Sequence, residues 1–549
     1  MVAKKDYDDI QGDIWPGLSK KYEEFYFFSI EDVELFKPVL KNLADEVITS
    51  ATNAMAARTC IQMVKAEEAK EKAQEHPKKN TRSNGGGMFG LLNDAVDGVG
   101  STVNAGIDLA GTVAHAAVDV SVGVAKFPFD VIAHLVPKDA KDIPRSQASK
   151  SHVSLAAVNI SFTHVGMNKL WKETFMDDIY IKGMQQDMMG EGRDQEKDWR
   201  KEFLKDSENL RPSKIDGMVL VCGTKEEVQA KVADLNQNYL GEKQGCRHVM
   251  TLNGQERPGK QRGHEHFGFL DGVSQPILAG FDDEDLKAKG ALKLPTSPGV
   301  IIFGHDREGS DEQDLQHPAW ARNGSIQVVR RLKQFVPEWN RYVEEQGAKL
   351  HLTPGQMGAR MMGRWQSGAP VELYPDTDYP EHAKFNDFDY DPESQLRCPF
   401  ASHTRKVKPR KDVNNMDKFD IMRRGLPFGP EHDPATEPTT TQERGLMFVC
   451  YQTSLNNGFS FIKNKWCNDD NFPPNKDKYT GGTLPGQDPV IGQTLPFTKQ
   501  ADDTRLTFSI TDGKGQHTQV EFPSFVESQG GDYFFTPSLS LLRTMSGVN

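Results

Sequence analysis

Apolar positions along the chain follow two rhythms, one of period two and one near 3.6, and the two interleave twice. Phe25-Tyr26-Phe27-Phe28 is an aromatic run suited to a strand, and Ser29 is placed to cap a helix running through Val33, Phe36 and Leu40. Residues 154–163 alternate loosely and Met218-Val219-Leu220-Val221 is continuously apolar, both patterns of strands. Thr224-Lys225-Glu226-Glu227 has the spacing of a capping box and opens a helix to about Leu235. A second set follows. Val300-Ile301-Ile302-Phe303 and Ser325–Val329 predict strands, residues 336–346 a helix, and Leu446–Tyr451 and Tyr533–Phe535 two further strands. Helices are too few to cover a doubly wound sheet, so the pattern predicts two α+β domains meeting near residues 255–295. The stretch 428–444, rich in Pro, Thr and Glu, predicts a surface loop.

Length supports that division, since 549 residues exceed one ordinary core. With 37% hydrophobic and 26% charged residues, the chain has the composition of a globular protein. Acidic residues outnumber basic ones by 78 to 66, a net charge of −12, which argues against a nucleic-acid binder because no basic surplus faces phosphates. Six cysteines without CxxC spacing predict free thiols. The polar start Lys4-Lys5-Asp6-Tyr7-Asp8-Asp9 leads into no signal-like apolar stretch, so the sequence as given reads as cytoplasmic, and no window is apolar enough for a membrane span.

Residues 75–150 break the plan, turning to Gly, Ala and Val. Asp97, Asp108, Asp119 and Asp130 recur there every 11 residues, three helical turns, and would share one stripe of a helix. A helix so built over residues 85–136 would meet a lipid or protein surface; its glycines favour instead a poorly ordered insertion.

The densest reactive cluster is His264-Glu265-His266-Phe267-Gly268-Phe269-Leu270-Asp271-Gly272-Val273-Ser274-Gln275-Pro276. Asp271 stands among apolar residues and between glycines that let backbone approach a flat ligand. Taken alone, the segment is also compatible with a simple turn, or with a two-histidine, one-carboxylate metal site at His264, His266 and Asp271.

Gly268-Phe269-Leu270-Asp271-Gly272 resembles the Gly-x-x-Asp-Gly motif of dye-decolourising peroxidases, and the Val-Ser-Gln-Pro after it resembles their fungal branch. The opening Asp9-Ile10-Gln11-Gly12-Asp13-Ile14 and the blocks 398–406, 421–429, 445–452 and 531–535 resemble the same family in the same order. The resemblance implies two ferredoxin-like domains, about 1–270 and 271–549, with one haem b per chain held mainly by the second. It implies His403 as the iron ligand, Arg405 and Arg410 as partners of the haem propionates, and Asp488 as the hydrogen-bond partner of the ligand imidazole. Asp271 would move the peroxide proton and Arg423 would stabilise charge as the O–O bond breaks, in a pocket lined by Leu446 and Phe448. Hydrogen peroxide, dyes, phenolics and other aromatic reductants would be the substrates, the physiological reductant and the oligomeric state being left open. Trp466 resembles a tryptophan that carries electrons from the surface in some relatives, whereas Phe428 stands where such relatives have an oxidisable tyrosine. Secretion is compatible with the resemblance, and a haem-handling protein of weak peroxidase activity is the other reading.

Overall fold

The computed structural model describes residues 4–61, 156–173, 177–204, 214–282, 295–306, 317–414, 417–493 and 506–548. The N-terminal half carries strands β1 (Tyr22–Ile30), β2 (Ala157–Phe162), β3 (Gly217–Gly223) and β4 (Cys246–Gln255). The C-terminal half carries β5 (Ser325–Gln334), β6 (Met422–Arg423), β7 (Leu426–Phe428), β8 (Gly445–Gln452), the hairpin β9 (Leu506–Thr511) and β10 (His517–Phe522), and β11 (Val526–Thr536).

The first half is antiparallel in the order β4-β1-β3-β2, and the second continues it as β11-β5-β8-β6, with β7 also on β8. Each half therefore sets its fourth strand beside its first, and its third between its first and second, which is the ferredoxin-like order. Helices Val33–Asn42 and Lys225–Asn238 connect β1 to β2 and β3 to β4; helix Val336–Lys349 follows β5 in the second half. The two sets fuse where Phe162 of β2 pairs with Phe535 of β11, so one nine-stranded sheet runs through the protein. β4, at one end of that sheet, packs against β7 near the other.

Because the sheet is continuous, the main core is common to both halves. Phe25, Phe27 and Phe28 of β1 pack in one buried cluster with Val328 and Val329 of β5, Met447 and Val449 of β8, and Phe534 and Phe535 of β11. Phe27 and Phe534 meet directly, their rings 6.1 Å apart. A second buried cluster lies around Trp339 and Phe525 of the C-terminal half and takes in Phe267 and Phe269 from the turn before Asp271.

The capping box at Thr224 and Glu227 forms, opening the helix Lys225–Asn238. Two expectations fail locally. Ser29 lies inside β1, and the helix after it is capped by Asp32, whose Oδ1 accepts from the Glu34 and Leu35 N–H groups at 3.0 and 3.1 Å. Val300–Phe303 is no strand: Pro298 starts a 3-10 turn and Gly304 at φ +78° ends the run, so these apolar residues are buried as a turn. The six cysteines are buried and unpaired. The whole 75–150 segment, with its 11-residue aspartate spacing, lies outside the described residues.

Phe534→Ala should cost about 3–5 kcal/mol by opening a cavity where the halves meet. A single denaturant transition shifted for both halves is the expected result; a transition split into two would show the cores to be independent.

Candidate active site

A cavity of about 280 Å³ lies against one face of the C-terminal half of the sheet. The strand pleat builds its floor. Leu332 of β5 stands between Ser528 of β11 and Leu446 of β8, and Arg330 is paired with Phe448; all five side chains line the cavity. The alternate β8 residues Met447 and Val449 point into the main core.

Glu265 and residues 269–276 form one wall. Glu265 organises it: its buried carboxylate accepts from the Phe267 and Phe269 N–H groups, each at 2.9 Å, and from Gln334 Nε2 of β5 at 2.5 Å. Burial pushes the Glu265 carboxyl up, against the pull of those donors. Phe267 stacks on Trp339 at 4.6 Å, which ties the turn to helix Val336–Lys349. Gly268 takes φ +95°, and a Cβ there would lie 2.6 Å from Gln366 Nε2. The turn delivers Asp271 to the cavity, its Oδ1 accepting from Gly272 N at 2.6 Å and from Arg423 Nη1 at 2.7 Å. Arg423 Nη2 also donates to Ser274 O at 3.2 Å, and Gln275 clasps the Arg423 backbone at both N–H and C=O. Both members of the pair are about two-thirds covered.

His403 opens the short helix His403–Val407 on another wall. Its Nδ1 donates to Asp488 Oδ2 at 2.8 Å, and Asp488 is fully buried. The other oxygen, Oδ1, accepts from Val490 N and Ile491 N at 2.8 and 3.1 Å. Burial opposes the charge on Asp488, yet His403 and these N–H groups outweigh it and hold the carboxyl below its ordinary value. A carboxylate so held keeps the imidazole in one tautomer and leaves Nε2 for an outside partner.

Two family models match the chain: the DyP dimeric alpha+beta barrel domain over residues 9–81 and 131–258, and the Dyp-type peroxidase C-terminal domain over residues 304–483. The chain belongs to the DyP-type peroxidases. It is similar to Peroxidase 2 of the fungus Mycetinis scorodonius, at 34% identity over 413 residues, 71% of this chain and 76% of that one. The crystal structure of a fungal DyP-type peroxidase from Auricularia auricula-judae superposes with a TM-score of 0.70 at 27% identity, covering 98% of this chain and 99% of the other. A dye-decolorizing peroxidase in complex with 2,6-dimethoxyphenol gives a TM-score of 0.69 at 28% identity, over 99% of this chain and all of the other. The first family match is interrupted over residues 82–130, within the segment that looked foreign to the plan.

In this DyP-type peroxidase, Asp271, Arg423, His403, Leu446, Phe448 and Arg410 line the one cavity, and Asp488 backs it through His403. Arg405 does not join them. It is fully buried, paired with Asp412 at 2.6 and 3.0 Å, and donates to the carbonyls of Asp391, Ser394 and Cys398, so it braces the chain around His403 and has no free face for a propionate. Trp466 is also not a surface residue: at 3% exposure it stacks on Phe472 with rings 4.9 Å apart, between Phe419 and Phe461. Phe428 is equally buried, beneath the Arg331 guanidinium. The metal alternative at His264, His266 and Asp271 fails, because His264 binds Arg262 O, His266 binds Phe428 O and Asp271 binds Arg423. Among the described residues no group of three such ligands converges.

Sequence reasoning missed Glu265, Arg364 and Lys408. Lys408, five residues past His403, was legible as one more cation in a basic stretch. Arg364 had no local signal. It lines the cavity and is pushed down to about 10, mainly by burial and with help from Arg410 and Arg423.

His266 makes an acid-sensitive lock on the Asp271 turn. Its Nε2–H donates to Phe428 O at 2.9 Å while Nδ1 is buried without a partner. Burial, with Arg257 close by, pushes its pKa from the ordinary 6.5 down to about 4. Between those values the unfolded chain binds a proton that the native chain refuses, so native stability is lost as pH falls from about 6.5 to about 4, by about 3 kcal/mol in all. His266→Gln should flatten that part of the stability-versus-pH curve, read by urea unfolding at a series of pH values.

Proposed function

We propose that this protein reduces hydrogen peroxide at a haem bound through His403 and passes the oxidising equivalents to aromatic reductants in one-electron steps. The observation that carries this reading is one cavity with a carboxylate-held imidazole on one wall and an Asp–Arg pair on another. The cavity chemistry suits the cofactor. Leu332, Met362, Leu446, Phe448, Val490 and Ile491 offer apolar surface to a flat macrocycle. Arg330, Arg364, Lys408, Arg410, Arg423 and Lys463 line the cavity with only Glu265, Asp271 and Asp420 as carboxylates, and even with Arg330 paired to the buried Asp194 the remaining surplus suits a dianion. Arg410, expected in the propionate role, has a buried Nε without a partner, and Arg364 and Lys408 stand beside it in place of Arg405.

Bound haem supplies the metal that peroxide meets and the redox capacity to hold two oxidising equivalents. The chain supplies the proton chemistry. Asp271 has Oδ1 committed to Arg423 and Gly272, which leaves Oδ2 to take a proton from the near oxygen of peroxide and return it to the far one. Arg423, fixed by Ser274 and Gln275, holds its charge where negative charge develops. Asp488 holds the His403 proton on Nδ1, which turns the Nε2 lone pair outward and makes the ring a stronger electron donor. A haem-handling role alone has no use for the Asp271–Arg423 pair.

His403→Ala should abolish the Soret band of the haem-loaded protein. Asp271→Asn should retain that band while steady-state turnover falls by about 100-fold or more. A Soret band unchanged by peroxide in the wild-type protein, or full turnover in Asp271→Asn, would overturn the reading.

A further inference from the structure

Trp466 and Phe428 are buried, so neither offers a bulky reductant an oxidisable ring at the surface. The loop 373–385 does. Tyr379 is 45% exposed, the most of any tyrosine or tryptophan among the described residues. It stacks on Tyr374, rings 4.9 Å apart and 17° from parallel, and both rings lie against His382, at 5.0 and 5.4 Å. The Tyr374 hydroxyl is hydrogen-bonded to His382 Nδ1. The loop is pinned from beneath: Trp365 Nε1 donates to Tyr374 O at 2.7 Å, Gln356 Nε2 to Asp376 O at 3.0 Å and Ser367 Oγ to Asp378 Oδ1 at 2.5 Å.

From this cluster, packed rings lead inward. His382 stacks on Phe385 at 5.5 Å, Phe385 packs against the buried cluster of Phe388, Tyr390 and Cys398, and the Phe388 and Tyr390 rings are 5.5 Å apart. Tyr390 lines the cavity and reaches Thr404, the neighbour of His403. Packed side chains thus lead from solvent to the cavity wall, ring on ring except where Phe385 meets the buried cluster.

We infer that Tyr374, with His382 as its proton acceptor and Tyr379 as the docking ring, is a surface oxidation site for aromatic reductants too large for the cavity. The inference rests on the peroxidase reading above. One electron leaves Tyr374 through Phe385, Phe388 and Tyr390 to the peroxide-oxidised cofactor. The Tyr374 O–H bond breaks and its proton moves to His382 Nδ1, because an oxidised phenol is a far stronger acid than tyrosine near pKa 10. A reductant stacked on Tyr379 then gives one electron to the Tyr374 phenoxyl, His382 returns the proton, and the reductant leaves as its one-electron oxidised form. Two such passages match one peroxide: H2O2 plus two electrons and two protons gives two waters.

The test uses the haem-loaded full chain treated with hydrogen peroxide. Electron paramagnetic resonance should show a tyrosyl signal, and spin-trap adducts mapped by mass spectrometry should fall on Tyr374 or Tyr379. Tyr374→Phe/Tyr379→Phe should remove that signal and lower kcat/KM for a bulky sulfonated anthraquinone dye by about tenfold or more, with the Soret change on adding peroxide intact. His382→Gln should weaken the signal while Tyr379 remains in place. A trapped radical mapping elsewhere in the wild-type protein, or an unchanged signal and dye turnover in the double variant, would overturn the surface site. A missing Soret response to peroxide in the wild-type protein would instead overturn the peroxidase reading on which the site depends.

Discussion

Along β8 the pleat sends Met447 and Val449 into the core and Leu446 and Phe448 into the cavity, and the function depends on that division. A slip of one residue against β5 would exchange the two sets and place core side chains where the cavity has its floor. Register is held by the long pairing of β5 with both β8 and β11, in which Leu332 lies opposite Leu446 on one side and Ser528 on the other. The cavity is therefore a by-product of a well-specified sheet. Its reactive groups come from loops laid over a rigid floor, the usual division of labour between scaffold and site.

Much of the fold was legible because strands with aromatic or β-branched residues and a capping box advertise themselves locally. The run Val300–Phe303 misled because four apolar residues look the same whether paired in a sheet or buried in a turn. The fusion of the halves was invisible, since it rests on one pairing between Phe162 and Phe535. For the site, local reading found Asp271 interesting but had no means of choosing His403 or Arg423. Arg423 is 152 residues from Asp271, and only the fold brings the two together. The family resemblance made the choice, and it misassigned Arg405, because a guanidinium two residues from the ligand histidine says nothing about which way it turns. Here it turns inward to Asp412.

The electrostatics are arranged in layers. Cations crowd the cavity wall, and the carboxylates there and behind it, Glu265 and Asp488, are each held by several N–H donors. An overall acidic chain thereby presents a locally basic cavity. Net charge, informative about nucleic acid, says nothing about the sign of an interior site.

The position of β11 bears on how the protein is made. Gln11 donates to Ile160 O at 2.9 Å and to Pro537 O at 2.8 Å, tying the start of the chain to the residue just past β11. β11 itself lies mid-sheet between β2 and β5. During synthesis the first ferredoxin-like unit must wait with the edge of β2 uncovered, and β5 must wait with one side unpaired, until β11 leaves the ribosome. Contacts of such long sequence separation form slowly, and open strand edges invite association with other chains. The sheet thus stays in two pieces with open edges until β11, the last of its described strands, is made, and that interval is the one most exposed to association with other chains.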